Sequence, residues 1–255
     1  MAKDIGDAAR EVCLSFPEAE ETVSHGAVTF KIRGKVFAYY VVNHHGDGRV
    51  ALHMTAPPGA QAHLVASAPK HFFVPPYVGP RGWIGVNLDK GISWKRVASL
   101  AREAYERVAP QALVGRIGKT IEIAPPKKSL SAVQMDPMQA PAAQKLLKGL
   151  RKLCLELPET SESRQFGSPV FLVGKKTFAH ASHRDGRMRF GFWVGVDRQG
   201  LLTADPRFEI PPYMGHNGWI TLDVTRRCDW NEVRALALDS YRHFALRRIL
   251  RLLGE

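Results

Sequence analysis

The sequence predicts an α+β protein built from two homologous domains, each a mainly antiparallel sheet with helices packed on one side. The phrase VPPYVGPRGWI, from Val74 to Ile84, returns as IPPYMGHNGWI from Ile210 to Ile220, with seven of eleven positions identical. In both halves of the chain, hairpin signals also separate stretches of alternating apolar and polar residues. Such alternation is typical of strands with one buried face, and consecutive hairpins join antiparallel strands.

Further matches show that a whole domain is repeated. The segment VCLSFPEAEET beginning at Val12 matches LCLELPETSES beginning at Leu153, and Trp94 corresponds to Trp230. The offset between matching positions falls from 141 to 136 residues along the chain, as expected if the loops of the second copy are shorter. Repetition over this length indicates two homologous domains in tandem.

The repeat also suggests the domain boundaries. We place the first domain at residues 1–117 and the second at residues 142–255. The intervening residues 118–141 contain four prolines and little hydrophobic periodicity, which is typical of a linker. A chain of 255 residues is long enough for two such domains, each with its own core.

Each copy is expected to begin with an amphipathic helix, over Asp4 to Phe16 and Ala142 to Leu157, which a following proline ends. Alternating stretches and turn residues then predict two tight hairpins in each copy. The predicted turns are Arg33-Gly34 and Asp47-Gly48 in the first copy, and Gly174-Lys175 and Asp185-Gly186 in the second.

A short helix, the repeated Pro-Pro-Tyr phrase and a further strand follow in both copies. The last helix of each copy is expected to begin near Ser93 or Asp229, because both residue types cap helix N-termini. Glu232, three residues after Asp229, predicts a capping box in the second copy. We expect this last helix to be mainly structural and to continue to the C-terminal arginines Arg247, Arg248 and Arg251.

The charge balance is the compositional feature that indicates a partner. The chain has 36 Lys and Arg residues against 24 Asp and Glu, a formal net charge of +12. Residues 142–255 hold 19 of these cations against 12 acids, so the second copy is the more basic one. Such a surplus favours a polyanion such as nucleic acid, although some soluble proteins are basic without having such a partner.

Several other classes of protein are disfavoured. No apolar run approaches the length of a membrane span, and the N-terminal residues carry acids and lack a signal-peptide core. The three cysteines are widely spaced, which argues against a disulfide framework and matches no metal-ligand spacing. We therefore expect a cytoplasmic protein that does not bind membranes.

An ordered series of motifs runs through the first copy. The motifs are His25-Gly26-x-x-Thr29-Phe30, Gly34-Lys35-x-Phe37-Ala38, Pro75-Pro76-Tyr77-x-Gly79-x-x-Gly82-Trp83, and finally Trp94 and Ala104-Tyr105. This series resembles the MmcQ/YjbR-like family, and the resemblance extends over roughly residues 8–115 and 147–250. It implies an α+β fold related to the frataxin-like and double-wing types, and a DNA-binding role.

Both copies depart from the family motif His-Gly-x-Pro-x-Phe. The first copy has Val28 in place of the proline, and the second has Phe166 in place of the histidine while it keeps Pro169. Any chemistry that depends on His25 would therefore be absent from the second copy. The tandem arrangement is a second departure, because the family usually has a single domain.

Basic residues at the predicted hairpins are the candidate nucleic-acid contacts. Lys31, Arg33 and Lys35 alternate with apolar residues, and they would share one face if the strand continued through the turn. Arginines around the second hairpin could enter a groove as a wing, and solvated turns are the alternative. The candidates are Lys31, Arg33, Lys35, Arg49, Arg81, Lys175, Lys176, Arg184, Arg187 and Arg189.

The Pro-Pro-Tyr phrase supports a second prediction. Its prolines restrict the backbone and its glycines permit unusual conformations, so we interpret it as a scaffold that displays side chains at its tip. Those side chains could line a pocket for a small molecule or a protein partner. The residues concerned are Tyr77, Trp83, Tyr213, His216 and Trp219.

The sequence contains no recognisable catalytic or metal-binding set. The histidines of the first copy lack a known ligand spacing, and Cys13 and Cys154 fall on the apolar face of the first helix, where burial is expected. We therefore expect no enzymatic activity, no cofactor and no metal.

The predicted function is binding of nucleic acid, in particular duplex DNA, by two similar basic modules. The alternative is binding of a small molecule or protein through the aromatic residues. Two modules in one chain would raise the avidity for one duplex and could take the place of a homodimer.

Overall fold

Two six-stranded antiparallel sheets, each with helices, form the protein, as the sequence predicts. The structure is a computed structural model that describes residues 3–24 and 26–254. The chain divides into two compact units, Met1–Ser131 and Ala132–Glu255. This division falls within the segment predicted as a linker. In the described ranges, no helix is both long and apolar enough to cross a membrane.

In its described residues, the first unit has four α-helices and six strands. The helices are α1 (Ile5–Leu14), α2 (Ala60–Ser67), α3 (Trp94–Glu106) and α4 (Gln111–Val114). The strands are β1 (Glu20–Ser24), β2 (Ala27–Ile32), β3 (Lys35–Val42), β4 (Val50–Met54), β5 (Phe72–Phe73) and β6 (Ile84–Asn87). The strand order is β1-β2-β3-β4-β6-β5, and every neighbouring pair is antiparallel.

The second unit repeats this arrangement. Its helices are α5 (Ala132–Met135), α6 (Pro141–Leu155), α7 (Val196–Leu202), α8 (Trp230–Phe244) and α9 (Arg247–Leu250). Its strands are β7 (Thr160–Gln165), β8 (Ser168–Val173), β9 (Lys176–Arg184), β10 (Arg187–Trp193), β11 (Phe208–Glu209) and β12 (Trp219–Asp223). The strand order β7-β8-β9-β10-β12-β11 is equivalent to that of the first unit.

Local sequence explains where α1 begins and ends. Asp4 accepts a hydrogen bond from the amide of Asp7 (2.8 Å), and the Asp7 carboxylate accepts one from the amide of Asp4 (3.3 Å), which makes a capping box. The helix ends at Leu14, shortly before Pro17, so it is slightly shorter than predicted. Its apolar face, which includes Val12, is buried in the core.

In each unit, a tyrosine of the last long helix binds the backbone shortly after the end of the first long helix. The Tyr105 hydroxyl donates to the carbonyl of Pro17 (2.6 Å), and the Tyr241 hydroxyl donates to the carbonyl of Pro158 (2.8 Å). Both tyrosines are fully buried. The equivalent contacts show that the two copies share side-chain interactions as well as strand order.

Three of the four predicted tight hairpins are present. Arg33-Gly34 and Asp185-Gly186 form two-residue turns with positive φ at both positions, and Gly174-Lys175 also joins paired strands. The prediction for Asp47-Gly48 is wrong, because residues 43–49 form a longer loop. The amide of Asn43 donates to the carbonyl of Arg49 (2.7 Å) and closes that loop.

The C-terminal helix is divided in the structure, whereas the sequence predicts one continuous element. The helix α8 ends at Phe244, and Ala245 is extended with a ψ of 141°. The chain then turns into the short helix α9, in which Ile249 is buried in the core. Burial of this isoleucine explains why the chain leaves the axis of α8.

The predicted capping box at the start of α8 is only half formed. Asp229 caps the helix by accepting from the amide of Asn231 (2.9 Å). The Glu232 carboxylate instead binds Arg207 (2.9 Å), so it does not complete the box. In the first unit, Ser93 caps α3 by accepting from the amide of Arg96 (3.2 Å), as predicted.

Candidate functional site

The repeated phrase forms the same loop in both units, and we call residues 75–82 and 211–218 the Pro-Pro-Tyr loops. A glutamine from the preceding short helix holds each loop. Gln61 Nε2 donates to the carbonyl oxygens of Gly79 (2.8 Å) and Trp83 (2.6 Å). Gln199 in the second unit makes the equivalent two bonds, both of 2.7 Å. Each glutamine therefore fixes one backbone position within its loop and one directly after it.

The first glycine of each loop is required by close packing. A Cβ atom on Gly79 would lie 2.5 Å from Cγ1 of Val74, and one on Gly215 would lie 2.2 Å from Cγ2 of Ile210. A larger residue would therefore displace the start of the loop.

A tyrosine in a strained backbone conformation lies at the tip of each loop. Tyr77 has a φ of +63° and Tyr213 a φ of +68°. The next amide donates to the carbonyl of the preceding proline, at 2.8 Å and 2.9 Å respectively, so each tyrosine is the centre of a γ-turn of the rare, strained form. Such strain costs about 1–3 kcal/mol. The residues are nevertheless 64% and 76% exposed, so burial of the ring does not offset this strain.

The tryptophans that directly follow the loops are packed into the units. Trp83 stacks on Tyr39 with 5.4 Å between ring centroids, and Trp219 stacks on Phe244 at 5.9 Å. Of the aromatic residues predicted to form a pocket, the tyrosines are therefore the ones displayed to solvent. Arg81 is exposed in the first loop, as is His216 in the second.

Two open grooves lie away from these loops. One, of about 720 Å³, is bordered by Leu88, Trp94 and residues 125–129 of the first unit. The other, of about 510 Å³, is bordered by Arg151 and Glu162 of the second unit. Neither groove includes a residue of a Pro-Pro-Tyr loop.

The sheet of the first unit has an apolar outer face, on the side opposite its helices. Strand alternation directs Tyr40 toward α1 and Val41 to the outer face. There Val41, Ala51 and Phe73 form a small apolar cluster of their own. The predicted DNA contact Arg49 lies over this cluster, with its guanidinium carbon 4.3 Å from the centroid of the Phe73 ring.

A buried histidine lies beside that cluster. His53 is 4% exposed, and among the described residues its Nε2 atom has no hydrogen-bond partner. Burial, together with the charges of His44 and Arg49, lowers the pKa of His53 to about 4. The loop after β3 covers this histidine, with the His44 ring 5.9 Å from it and the Tyr77 hydroxyl 3.0 Å from His45 Nε2.

The outer face of the second unit is ionic. Arg189 Nε lies 3.1 Å from the Glu209 carboxylate, and Arg187 lies 3.5 Å from Glu209 and 3.8 Å from Asp223. The two arginines share one strand face, as predicted, but two carboxylates compensate their charges. Arg184 is exposed and, within the described residues, pairs with no carboxylate.

A surplus of positive charge lies at another hairpin of the second unit. Lys175 and Lys176 are exposed between β8 and β9. The amide of Gly174 donates to the Glu159 carbonyl (3.4 Å), and the Glu159 carboxylate accepts from Arg248 of α9 (2.7 Å). This bond from Arg248 lowers the pKa of Glu159. We call the cations of this hairpin and of the last helical turns the basic end: Lys175, Lys176, Arg247, Arg248 and Arg251.

The basic end and Tyr213 lie at the same end of the sheet. Strand β9 begins at Lys176 and runs antiparallel to β10, so its start lies beside the end of β10. Trp193, the last residue of β10, pairs with Trp219, which directly follows the Pro-Pro-Tyr loop. One end of the second unit therefore presents both a cluster of cations and an exposed aromatic ring.

The predicted cations of the first hairpin do not form a single track. The chain reverses after Ile32, which places Lys31 on β2 and Lys35 on β3. Lys31 pairs with Glu20 (3.6 Å), and Arg33 in the turn pairs with Glu18 (3.0 Å). The condition that the strand continues through the turn is not met.

The structure also places the remaining candidate residues. His25 lies outside the described residues. Within the described ranges, no group of three or more His, Cys, Asp or Glu side chains could hold a metal ion. Cys13 and Cys154 are fully buried, as predicted, and burial raises the pKa of both thiols.

Two equivalent α+β units, each with a six-stranded antiparallel sheet and a loop that displays a strained tyrosine, define a tandem two-domain protein. The YjbR family model matches residues 14–107 and 155–243. The chain therefore belongs to the YjbR family and contains two YjbR domains in tandem. This membership confirms the resemblance found in the sequence.

The chain is also similar to a protein of known structure, at low sequence identity. The chain is similar to the crystal structure of protein DR2400 from Deinococcus radiodurans, which carries the DUF419 domain. The two are 19% identical, the match covers 48% of this chain and 94% of that one, and the TM-score is 0.39. Among curated proteins, none matches the chain significantly.

Sequence reasoning missed the glutamines that hold the loops and the position of the last arginines. Gln61 and Gln199 are identical residues 138 positions apart, the same offset as the Asp-Gly turns, so the repeat itself could have identified them. The sequence places the arginines of α9 at the end of a continuous helix. The bond of Arg248 to Glu159, beside the first hairpin of the second unit, follows the break after Phe244, which no sequence motif marks.

Proposed function

We propose that this YjbR protein binds duplex DNA without catalysing a reaction, and that the basic end of the second unit makes the main contacts with phosphates. The observation that carries this function is that the hairpin with the exposed Lys175 and Lys176 is bonded to the backbone of Glu159, whose carboxylate binds Arg248 of the last helical turns. Lys and Arg side chains provide most phosphate contacts in DNA complexes, and such contacts account for most of the sequence-independent affinity.

The ion pairs of the second unit favour the basic end over the arginine hairpin. Arg187 and Arg189 would have to leave Glu209 and Asp223 in order to bind phosphate. Lys175 makes no ion pair in the described part of the chain, and neither does Lys176, so neither lysine has to break an ion pair in order to bind. The greater charge of the second copy agrees with this choice.

The first unit contributes a second, weaker contact in this proposal. Arg81 is exposed at its Pro-Pro-Tyr loop and Lys35 at its first hairpin. A second module on the same chain raises the effective concentration at the duplex when both modules reach it.

The double substitution Lys175→Ala and Lys176→Ala is expected to weaken binding to random-sequence duplex DNA by about 10-fold at low salt. It should also make the dependence of log affinity on log salt concentration shallower by about one for each phosphate that the variant no longer binds. Fluorescence anisotropy across a salt series measures both quantities.

The matched control removes the same charge from another exposed surface, through Lys145→Ala and Lys148→Ala on α6. We expect this control to bind nearly as the wild type does. The double substitution Arg187→Ala and Arg189→Ala is expected to lower the DNA affinity less than the Lys175/Lys176 double substitution does. Absence of wild-type binding at low salt would refute the proposed function, and equal losses of affinity in the Lys175/Lys176 variant and the control would refute the assigned surface.

A further inference from the structure

On the basis of the DNA binding proposed above, we infer that Tyr213 and Tyr77 stack on unpaired bases. The protein then binds DNA that contains a single-stranded gap more tightly than a continuous duplex of the same length. The basic end supplies the phosphate contacts, and the Pro-Pro-Tyr loops supply the aromatic contacts.

The backbone of the loops shows that the tyrosines are displayed rather than packed. Both residues keep a positive φ, which glycine would adopt without strain, and both remain mostly exposed. The loops around them are fixed by equivalent hydrogen bonds, including those from Gln61 and Gln199. Two rigid loops therefore hold a large aromatic ring in solvent at the same place in each unit.

Charge complementarity selects a nucleic acid as the occupant of these rings. Tyr213 lies at the same end of the sheet as the basic end, and His216 lies three residues further along its loop. Exposed aromatic rings beside cations are the usual means of binding single-stranded nucleic acid, because the rings stack on bases while the cations bind the backbone.

The base must be unpaired for such a contact. In a continuous duplex the faces of the bases are covered by their neighbours, so an exposed ring could reach them only by opening the stack, which costs free energy. A gap or a frayed end presents a free base face without that cost.

The two tyrosines are not equivalent. The Tyr77 hydroxyl is within hydrogen-bonding distance of His45 (3.0 Å), and its ring lies edge-on to the His45 ring at 5.5 Å. Tyr213 is the more exposed residue, at 76%, and it lies in the more basic unit. We therefore expect Tyr213 to make the larger contribution.

The test compares Tyr213→Gly with Tyr213→Phe on two DNA probes of equal length, a continuous duplex and the same duplex with a short single-stranded gap. The glycine variant removes the ring and relieves the positive φ, so its thermal unfolding midpoint should equal or exceed that of the wild type. Its affinity for the gapped probe should nevertheless fall on the order of 10-fold. The phenylalanine variant keeps the ring and should bind the gapped probe as the wild type does.

Binding of the continuous duplex separates this inference from the proposed function. If the wild type binds neither probe, DNA binding itself is refuted. If the wild type binds both probes equally, or if Tyr213→Gly keeps full affinity for the gapped probe, base stacking is refuted while DNA binding stands. A loss of affinity confined to the gapped probe, in a variant that is at least as stable as the wild type, would support stacking.

Discussion

Replacing Gln199 with glutamate is expected to lower the free energy of unfolding of the second unit by about 4 kcal/mol at pH 7. Gln199 is 5% exposed, and its side-chain nitrogen donates to the carbonyls of Gly215 and Trp219, both at 2.7 Å. A carboxylate at this position would face two carbonyl oxygens and would have no proton to donate. It must therefore bind a proton, which requires its pKa to rise from about 4.3 to above 7.

Replacing Gln199 with leucine is expected to cost less, about 1–3 kcal/mol. The Gly215 carbonyl keeps the bond from the amide of Gly218 (2.9 Å), so the destabilisation arises mainly from the unsatisfied carbonyl of Trp219. The two variants should also differ in their response to pH. In the glutamate variant the folded-state pKa is raised, so its destabilisation shrinks as the pH falls from 7 toward 5, whereas that of the leucine variant stays constant.

Urea unfolding followed by peptide-resolved hydrogen exchange would measure the stability of the second unit separately from that of the first. Gln165→Glu, on the exposed edge strand β7, is the matched control and should be nearly neutral. A destabilisation below about 1 kcal/mol in Gln199→Glu would show that the two carbonyl contacts do not hold the loop.

The features that could be predicted from the sequence are those with a local cause. The caps at Ser93 and Asp229, the stop before Pro17 and the turn at Asp185-Gly186 each depend on a few adjacent residues. The internal repeat added long-range information, because equal residues at a steady offset must serve the same place in each domain. These two sources were sufficient for the fold class.

The polar edge strands could not be predicted in this way. The strands β1 and β7 have the sequences EETVS and TSESRQ, which lack the apolar alternation of a half-buried strand. They form because the adjacent strands β2 and β8 offer unpaired backbone groups, with five and six residues paired respectively. This is a tertiary cause, and the local sequence does not contain it.

Tertiary structure also determines whether a carboxylate compensates the charge of a candidate DNA contact. The nearest acid in the sequence is Asp185, but Arg189 pairs with Glu209, which is 20 residues away. The pairing of β10 and β11 with β12 brings the two side chains together. The residue type therefore indicated that Arg189 contacts DNA. The strand register instead places Arg189 beside a carboxylate that already compensates its charge.

The outer faces show how the two domains diverged on one scaffold. Tyr39 and His53 pair across β3 and β4 in the first unit, and His180 and Gly191 pair at the equivalent places in the second. The aromatic ring next to the loop tryptophan is thus a tyrosine in one unit and a histidine in the other. Among the described residues, His53 is consequently buried in the first unit and His180 is half-buried at a different position in the second.

His53 and His180 lead us to expect that each unit loses about 3 kcal/mol of stability between pH 6.5 and pH 4. Burial lowers the pKa of His180 to about 4, and burial with the charges of His44 and Arg49 does the same for His53. Because the folded-state pKa lies below the unfolded value of about 6.5, the unfolded chain binds the proton first. The stability is complete above pH 6.5 and is lost as the pH falls toward 4.

The substitution His180→Tyr should remove this pH dependence from the second unit. The first unit already has Tyr39 at the equivalent position, stacked on its loop tryptophan, and the His180 ring lies directly over Gly191, where an added Cβ would be 2.0 Å from Nε2. The free energy of unfolding, measured by hydrogen exchange at several pH values, should therefore depend less on pH in the second unit. In the first unit it should still fall steeply as the pH decreases. His63→Tyr, exposed on α2, is the control and should leave both slopes unchanged. If the second unit of His180→Tyr remained as sensitive to acid as the wild type, protonation of His180 could not be the cause, and other groups of that unit would have to bind the protons that unfold it.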